Sequence, residues 1–244
     1  MDSNIIRAKI RLFVEQALGQ GQEIALSQAH AHYLGNVLRK GTGAQIALFN
    51  NRDGEWLAEL TEVGRRGAQA VCLGQSAPQR MPPDLWLVFA PIKKARTDFI
   101  VEKAAELGAA RIVPVQTEFT NSERIRQDRL QAHAVEAAEQ CGGTYVPEVA
   151  DLQPLSRLLQ DWPEGRALIW ADEGLAETVS TAPLPAAPAA ILIGPEGGFS
   201  QAERARLRGM AQVRPIALGP RILRADTAAV AALTLWQNAQ GDWG

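Results

Sequence analysis

The spacing of apolar residues along the chain changes near residue 80. Before that point, short runs rich in Val, Ile, Leu and aromatic residues are typical of strands. One stretch, Ser27–Arg39, has its apolar residues at helical spacing, with Ser27 as a candidate N-cap. The pattern predicts a small, mostly antiparallel β-barrel with one helix. Its predicted strands are Lys9–Val14, Gln45–Phe49, Glu55–Val63 and Ala68–Leu73, the second and third joined by a hairpin turn ending in Asp53-Gly54.

After residue 83, continuous apolar runs alternate with helical stripes. This alternation predicts a parallel sheet with helices on both faces. The proline-bearing stretch Gln75–Pro83 separates the two patterns, so we expect domains at 1–75 and 76–244. The predicted strands are Leu85–Ala90, Arg111–Val115, Ala167–Trp170, Ala190–Ile193 and Val213–Leu218, and the helices are Thr97–Leu107, Arg124–Gln140 and Asp226–Gln240.

Composition narrows the class of protein. Hydrophobic residues make up 46% of the 244 residues, which is enough for a proper core. No apolar run approaches the roughly 18 residues that span a bilayer, and charges near the start argue against a signal peptide. The two cysteines lie far apart and the three histidines are scattered, so we expect no metal site and a reducing, cytoplasmic location. With a net charge of −2, any nucleic-acid contact must come from local patches.

A glycine-rich turn follows the predicted strand that ends at Ile193. The sequence Gly194-Pro195-Glu196-Gly197-Gly198-Phe199-Ser200 leads into a capping box, Ser200-x-x-Glu203, which opens a helix. Ligands bind beyond the carboxyl ends of parallel strands, where helix N-termini present free N–H groups. An ordinary tight turn needs only one glycine, so a ligand site is favoured. P-loop, dinucleotide-fingerprint and hydrolase-elbow sequences are absent here.

A second motif lies about 20 residues further on and also follows a predicted strand. It reads Leu218-Gly219-Pro220-Arg221-Ile222-Leu223-Arg224-Ala225-Asp226-Thr227-Ala228. Two arginines flank an apolar pair, which suits a ligand with an adenine ring beside an anionic group. The alternative is that Asp226 or Thr227 only caps the helix, and that both arginines are surface charges.

Together these motifs resemble the paired signature of the RsmE-type methyltransferases of the SPOUT class. The resemblance implies a C-terminal SPOUT α/β trefoil-knot domain and an N-terminal PUA-like β-barrel that binds RNA. It also covers His32–Arg39, Lys103–Gly108, Glu136–Gly142 and Gly241–Gly244. The chain departs from the family at Gly143, where arginine is usual, at Asp226, where glutamate is usual, and at 117–122, which lacks the common ERS run.

The resemblance implies methylation of the ring N3 of a uridine in the decoding region of 16S ribosomal RNA, in the small ribosomal subunit. The cofactor would be S-adenosyl-L-methionine. Its expected site consists of Trp170, Ala171, Asp172, Ile193, Gly194, Pro195, Glu196, Gly197, Gly198, Leu218, Gly219, Ile222, Leu223, Arg224, Thr227 and Ala228.

Removal of the N3 proton needs a base or a cation that stabilises the uracil anion. Arg224 is the candidate cation and Arg11 its candidate partner, while Glu139 or Asp226 is the candidate base. The resemblance also implies a homodimer. Expected RNA contacts are Arg11, Arg39, Lys40, Arg65, Arg66, Lys93, Lys94 and Arg96.

Two other functions stay open on the sequence. One alternative is a SPOUT methyltransferase that acts on another RNA, at a ribose oxygen or a guanine. A non-catalytic RNA-binding protein would keep the fold but not the chemistry. The intact glycine-rich motif argues against the second, because a degenerate pocket should have lost its glycines.

Overall fold

The computed structural model describes residues 8–121, 125–176 and 182–243. This part of the chain divides into two compact units. The first contains the chain up to Met81 and then Ala138–Val146, and the second contains Pro82–Ala137 and the chain from Pro147 onward. The sequence pattern predicts a single boundary near residue 75, and it gives no sign that residues 138–146 belong to the first unit.

The first unit is built on a five-stranded sheet in the order β1-β3-β4-β5-β2. Strand β1 runs parallel to β3, and the other pairs are antiparallel. The core side chains of Ile24, Leu34, Ile46 and Leu60 are fully buried. Strand β2 was not predicted. The strands are β1 (Arg11–Phe13), β2 (Glu23–Leu26), β3 (Gln45–Phe49), β4 (Glu55–Val63) and β5 (Ala68–Ala77).

The helix of the first unit is shorter and less regular than predicted. Helix α1 covers Gln28–His32 and continues as a π-helical turn over Tyr33–Val37. Ser27 is its N-cap, as expected, and its side chain accepts a hydrogen bond of 3.1 Å from the His30 N–H. The π turn packs beside the end of β4, since a Cβ on Gly35 would lie 3.2 Å from the Val63 side chain.

The second unit contains a seven-stranded sheet in which the observed pairs are all parallel. The strand order is β12-β10-β11-β6-β7-β8, with β9 also pairing with β7. The strands are β6 (Leu85–Phe89), β7 (Arg111–Gln116), β8 (Glu148–Val149), β9 (Gln153–Pro154), β10 (Ala167–Ala171), β11 (Ala189–Ile193) and β12 (Val213–Ile216). The central strand β11 is buried along its whole length, as its apolar run predicts.

Helices connect these strands. They are α2 (Lys94–Glu106), α3 (Gln127–Cys141), α4 (Leu155–Gln160), α5 (Gln201–Gly209) and α6 (Ala225–Gln240). Helix α4 was not predicted, and Arg124, the predicted start of α3, lies outside the described residues. Because β10, β11 and β12 are adjacent and parallel, their carboxyl ends meet at one edge. The two sequence motifs follow β11 and β12, so the fold brings them together.

Within the described ranges, no helix is long and apolar enough to cross a membrane. The same residues form no cluster of three or more His, Cys, Asp or Glu side chains suited to a metal ion.

Candidate cofactor-binding site

A cavity of about 340 Å³ lies at the carboxyl ends of β10, β11 and β12, within the second unit. This size is suitable for a small-molecule ligand. The loop after each of the three strands contributes to its wall. The lining residues are Ala171, Asp172, Glu173, Ala176, Ile193, Gly194, Pro195, Glu196, Gly197, Gly198, Ile216, Leu218, Gly219, Arg221, Ile222, Leu223, Arg224, Ala225 and Ala228.

All the predicted cofactor residues line this cavity except Trp170 and Thr227. Trp170 is fully buried beneath it, with its ring 5.8 Å from that of Phe199 in an edge-to-face contact. Thr227 is exposed on α6, whereas Ala228 lies on the lining face. The sequence prediction omitted Glu173, Ala176, Ile216, Arg221 and Ala225, although Arg221 belongs to the second motif.

The glycine-rich loop after β11 has little room for larger residues. A Cβ on Gly194 would lie 2.6 Å from the Phe199 ring, well inside van der Waals contact. Gly198 has a φ of +70°, and a Cβ there would also collide with the Glu173 carboxylate. Both glycines are therefore needed for the close approach of chain segments that shapes the cavity wall.

Arg204, on α5, connects two of the loops that line the cavity. Its guanidinium pairs with Asp172 and Glu173 in the loop after β10. It also donates a hydrogen bond of 3.1 Å from Nε to the Phe199 carbonyl in the loop after β11. The Asp172 side chain is only 1% exposed and also accepts a bond of 2.9 Å from the Gly174 N–H. The buried carboxylate is thus satisfied by partners that fix the loop.

The predicted capping box at the start of α5 is confirmed. Ser200 accepts from the Glu203 N–H, and the Glu203 carboxylate accepts from the Ser200 N–H at 2.9 Å. The other oxygen of this carboxylate accepts a second bond of 2.9 Å from the Glu118 N–H, in the loop after β7. One side chain therefore joins the glycine-rich loop to the loop of a more distant strand.

The third loop leads from β12 into α6. Gly219 has a φ of +100°, and Arg221, Ile222 and Arg224 are exposed at the cavity. The N-cap residue of α6 is Arg224. The alternative that Asp226 or Thr227 caps this helix is therefore wrong. Asp226 sits in the first helical turn, where its charge is favourable, and lies 3.7 Å from Arg96.

The predicted catalytic residues Arg11 and Glu139 both lie in the first unit and take part in one set of contacts. Arg11 pairs with Glu55 at 2.6 Å and donates to the carbonyls of Ala138, Glu139 and Gly143 at the end of α3. The Glu139 carboxylate accepts a bond of 2.8 Å from the Phe13 N–H. These contacts favour a structural role, because most of the guanidinium donors are already used. Gly143, where the family usually has arginine, contributes its carbonyl.

Four of the predicted RNA contacts are exposed side chains of the first unit: Arg39, Lys40, Arg65 and Arg66. The first pair follows the π turn, and the second pair lies in the turn between β4 and β5. Because the π turn packs beside the end of β4, both pairs lie at the same end of the sheet. In the second unit, Lys93 and Lys94 are exposed at the start of α2, while Arg96 is partly buried.

Comparison with known proteins identifies two matching families. The family described as an RNA methyltransferase domain matches residues 79–237. The family described as an RNA methyltransferase PUA domain matches residues 26–72. The expected α/β fold class with a PUA-like N-terminal part is therefore confirmed.

Relatives of the whole chain agree with this result. Ribosomal RNA small subunit methyltransferase E of Rickettsia conorii is 28% identical over 228 residues, which cover 91% of this chain and 93% of the relative. A putative methyltransferase of Legionella pneumophila, solved with the cofactor S-adenosylmethionine, is 31% identical with a TM-score of 0.86, covering 97% of this chain and 100% of that one.

A third relative has the same name as the Rickettsia protein and was solved with the same cofactor as the Legionella protein. Ribosomal RNA small subunit methyltransferase E of Neisseria gonorrhoeae, solved bound to S-adenosylmethionine, is 28% identical with a TM-score of 0.87, covering 96% of this chain and 99% of that one. The RNA methyltransferase domain matches more than half of the chain, and its two motifs form the wall of one cavity. This chain therefore belongs to the ribosomal RNA small subunit methyltransferase E family of RNA methyltransferases.

Proposed function

We propose that this protein transfers a methyl group from S-adenosylmethionine to the ring N3 of a uridine in the decoding region of small-subunit ribosomal RNA. The observation that carries the proposal is the cavity formed by the three strand-end loops. It lies in a chain that is similar to two structures solved with that cofactor.

The lining of the cavity fits S-adenosylmethionine. Ile193, Leu218 and Leu223 supply apolar surface for an adenine ring. Glu196, which forms no ion pair with any described residue, carries charge opposite to that of the sulfonium group, and Arg221 suits the carboxylate. When bound, the cofactor supplies an electrophilic methyl group, and the loops fix its position for in-line transfer.

Arg224 is the proposed catalytic cation. It is exposed at the cavity, immediately before α6. Uracil N3 carries a weakly acidic proton, and a guanidinium beside the ring stabilises the anion that remains when this proton leaves. Because N3 lies on the pairing edge, the target nucleotide must be unpaired or flipped out of its stack.

The basic pairs of the first unit would hold the RNA by its phosphates. Arg39, Lys40, Arg65 and Arg66 form a local patch on a chain whose net charge is −2. The same proposal includes a homodimer acting on small ribosomal subunits in the cytoplasm.

Calorimetric titration with S-adenosylmethionine tests the cofactor site first. Wild type should bind with micromolar affinity, and Gly197→Val should abolish binding, because even a Cβ at this position would lie 3.1 Å from that of Phe119. Gly209→Ala is the matched control, since its Cβ would meet nothing within 4 Å. If folded wild type bound no cofactor, the cavity would not be a cofactor site. That result would favour a non-catalytic RNA-binding protein.

Nucleoside analysis then tests the product. Purified protein, cofactor and small subunits that lack the modification should yield 3-methyluridine. A methylated ribose or guanosine would instead support a SPOUT methyltransferase of different specificity. Methylation of another RNA, with small subunits left unchanged, would contradict the proposed substrate.

A further inference from the structure

A second cavity, of about 220 Å³, adjoins the cofactor cavity in the second unit. It is lined by Ile92, Lys93 and Lys94 after β6, by Asn121 after β7, and by Pro195 and Glu196 after β11. Pro195 and Glu196 also line the cofactor cavity. The two cavities therefore share one wall, and that wall carries a carboxylate.

The position of the second cavity in the sheet is typical of a ligand site. Strand β6 lies between β11 and β7. The chain leaves β6 through α2 toward β7 on one side, and it leaves β11 through α5 toward β12 on the other. The loops after β6 and β11 thus diverge at a topological switch point, where parallel sheets form a crevice at their carboxyl ends.

Internal hydrogen bonds hold the walls of this cavity. The Thr97 hydroxyl is 3.0 Å from both the N–H and the carbonyl of Ile92. The Thr117 N–H donates to the Thr120 hydroxyl at 2.9 Å, just before Asn121. Glu203 joins this loop to the glycine-rich loop through the Glu118 N–H. The backbone of the wall is therefore held in place before any ligand arrives.

The charged groups of the second cavity are available for a ligand. The side chains of Lys93, Lys94 and Glu196 are exposed, and none forms a hydrogen bond or ion pair with any described residue. The two carboxylates expected as bases are engaged elsewhere. Asp226 faces Arg96 and accepts from the Thr227 N–H, and Glu139 accepts from the Phe13 N–H.

We infer that the second cavity holds the target uridine and that Glu196 is the base that removes its N3 proton. This inference rests on the proposed function and adds to it a substrate subsite and a catalytic residue. Lys93 and Lys94 bind the phosphate of the nucleotide, and the amide of Asn121 can donate to or accept from the polar edge of the base. Because Glu196 lines both cavities, it lies beside the cofactor, where it removes the N3 proton and frees the in-plane position that the methyl group then occupies.

The reaction balances without another reactant. The N3–H bond breaks and the proton goes to the Glu196 carboxylate, leaving an electron pair on N3. That pair forms the new N–C bond to the methyl carbon, while the C–S bond breaks and its electrons remain on sulfur. The products are 3-methyluridine and S-adenosylhomocysteine, and the proton passes from Glu196 to water.

Single-turnover methylation of small subunits by Glu196→Gln tests the base. The rates are measured from pH 6 to pH 10 at cofactor concentrations that saturate each variant, so weaker cofactor binding cannot mimic the effect. Near pH 7 the glutamine variant should be slower by about 100-fold. The gap should narrow as pH rises, because solvent hydroxide then removes the proton. Glu164→Gln, an exposed glutamate that lines neither cavity, should keep the wild-type rate.

The possible outcomes separate this inference from the proposed function. Wild-type rates in Glu196→Gln, or a loss of the same size at every pH, would rule out the base role while leaving the proposed function intact. A wild type that forms no 3-methyluridine would contradict the proposed function itself.

The phosphate subsite has its own test. Lys93→Ala/Lys94→Ala should raise the KM for small subunits about 10-fold or more, with kcat and cofactor affinity nearly unchanged. Arg157→Ala/Arg206→Ala removes the same total charge from exposed positions outside both cavities and should leave KM unchanged. An equal rise in both double variants would indicate bulk charge rather than a subsite.

Discussion

Arg204 shows how much of the cofactor cavity depends on a single side chain. It holds Asp172 and Glu173 in one loop and the Phe199 carbonyl in another. Asp172 is nearly inaccessible to solvent, and its other cationic neighbour, Arg208, is 3.5 Å away and largely exposed. Removing Arg204 would leave this buried carboxylate with the Gly174 N–H and only a weak ion pair.

We therefore expect Arg204→Leu to lower the free energy of unfolding by about 2–3 kcal/mol, because a buried charge loses its main partner. Binding of S-adenosylmethionine should weaken as well, since two loops lose their connection. Urea denaturation and calorimetry measure the two effects. Arg206→Leu, an exposed arginine on the same helix, should change stability by less than about 0.5 kcal/mol. Equal effects from both substitutions would contradict the role assigned to Arg204.

At this scale the sequence predicts the site well wherever the relevant residues are neighbours in the chain. The glycine-rich loop and the loop before α6 each carry a local signal, and both line the cavity. Glu173 was missed because its place depends on Arg204, 31 positions later. Trp170 is predicted by its place beside the loop, whereas its ring packs against Phe199 and does not line the cavity, which motif proximity alone does not show.

Among the elements, the turn between β3 and β4 is held by one aspartate. The Asp53 carboxylate accepts from the Asn50 side chain at 2.6 Å and from the Leu18 N–H at 2.9 Å. The hydrogen bond from Asn50, then that from Leu18 and the nearby charge of Arg52, lower the pKa of Asp53. Its charged form is therefore favoured by folding.

The lowered pKa of Asp53 determines how the stability of the protein changes with pH. The stabilising contribution of Asp53 is fully present above its unfolded pKa of about 3.9 and is lost as pH falls through the lower folded pKa. Asp53→Asn should cost roughly 1 kcal/mol at pH 7, and this difference should shrink below about pH 4. Urea denaturation from pH 3 to pH 7 measures it. Asp151→Asn, at an exposed position, should show no such trend. A difference that grows toward low pH would refute the assignment.

The spacing of apolar residues predicts some helices and strands of this protein better than others. Strands β3 and β4 have the predicted ends, because long alternating runs and an Asp-Gly turn define them. Strand β2 is not predicted because its four residues alternate correctly but are too few for the alternation to stand out from the sequence around them. The π turn after α1 has ordinary helical spacing in sequence, and its distinct geometry accompanies packing against Val63, which belongs to another element.

For the whole molecule, charge distribution matters more than net charge. The chain carries −2 overall, yet Arg65 and Arg66 lie near Arg39 and Lys40 at one end of the first unit's sheet. Contacts of this kind with RNA phosphates release counterions, so binding should weaken as salt rises.

Arg65→Ala/Arg66→Ala should weaken binding to small subunits and reduce the slope of log K against log salt by about 1–2, one for each lost phosphate contact. Affinity for S-adenosylmethionine should not change. Titrations at several KCl concentrations measure the slope, with Arg157→Ala/Arg206→Ala as the charge-matched control. An unchanged slope would exclude these arginines from the RNA interface.

The contacts of Arg11 also have a consequence for synthesis of the chain. Arg11 lies in the first strand of the unit, yet its carbonyl acceptors reach as far as Gly143, 132 positions later. At ribosomal rates of about 5–20 residues per second, the nascent first unit waits roughly 7–26 s for them. During that interval Glu55 can pair with Arg11, but the guanidinium still lacks its later partners. A chaperone that binds nascent chains would therefore meet an incomplete N-terminal barrel, and a stop codon before residue 143 would leave it permanently so.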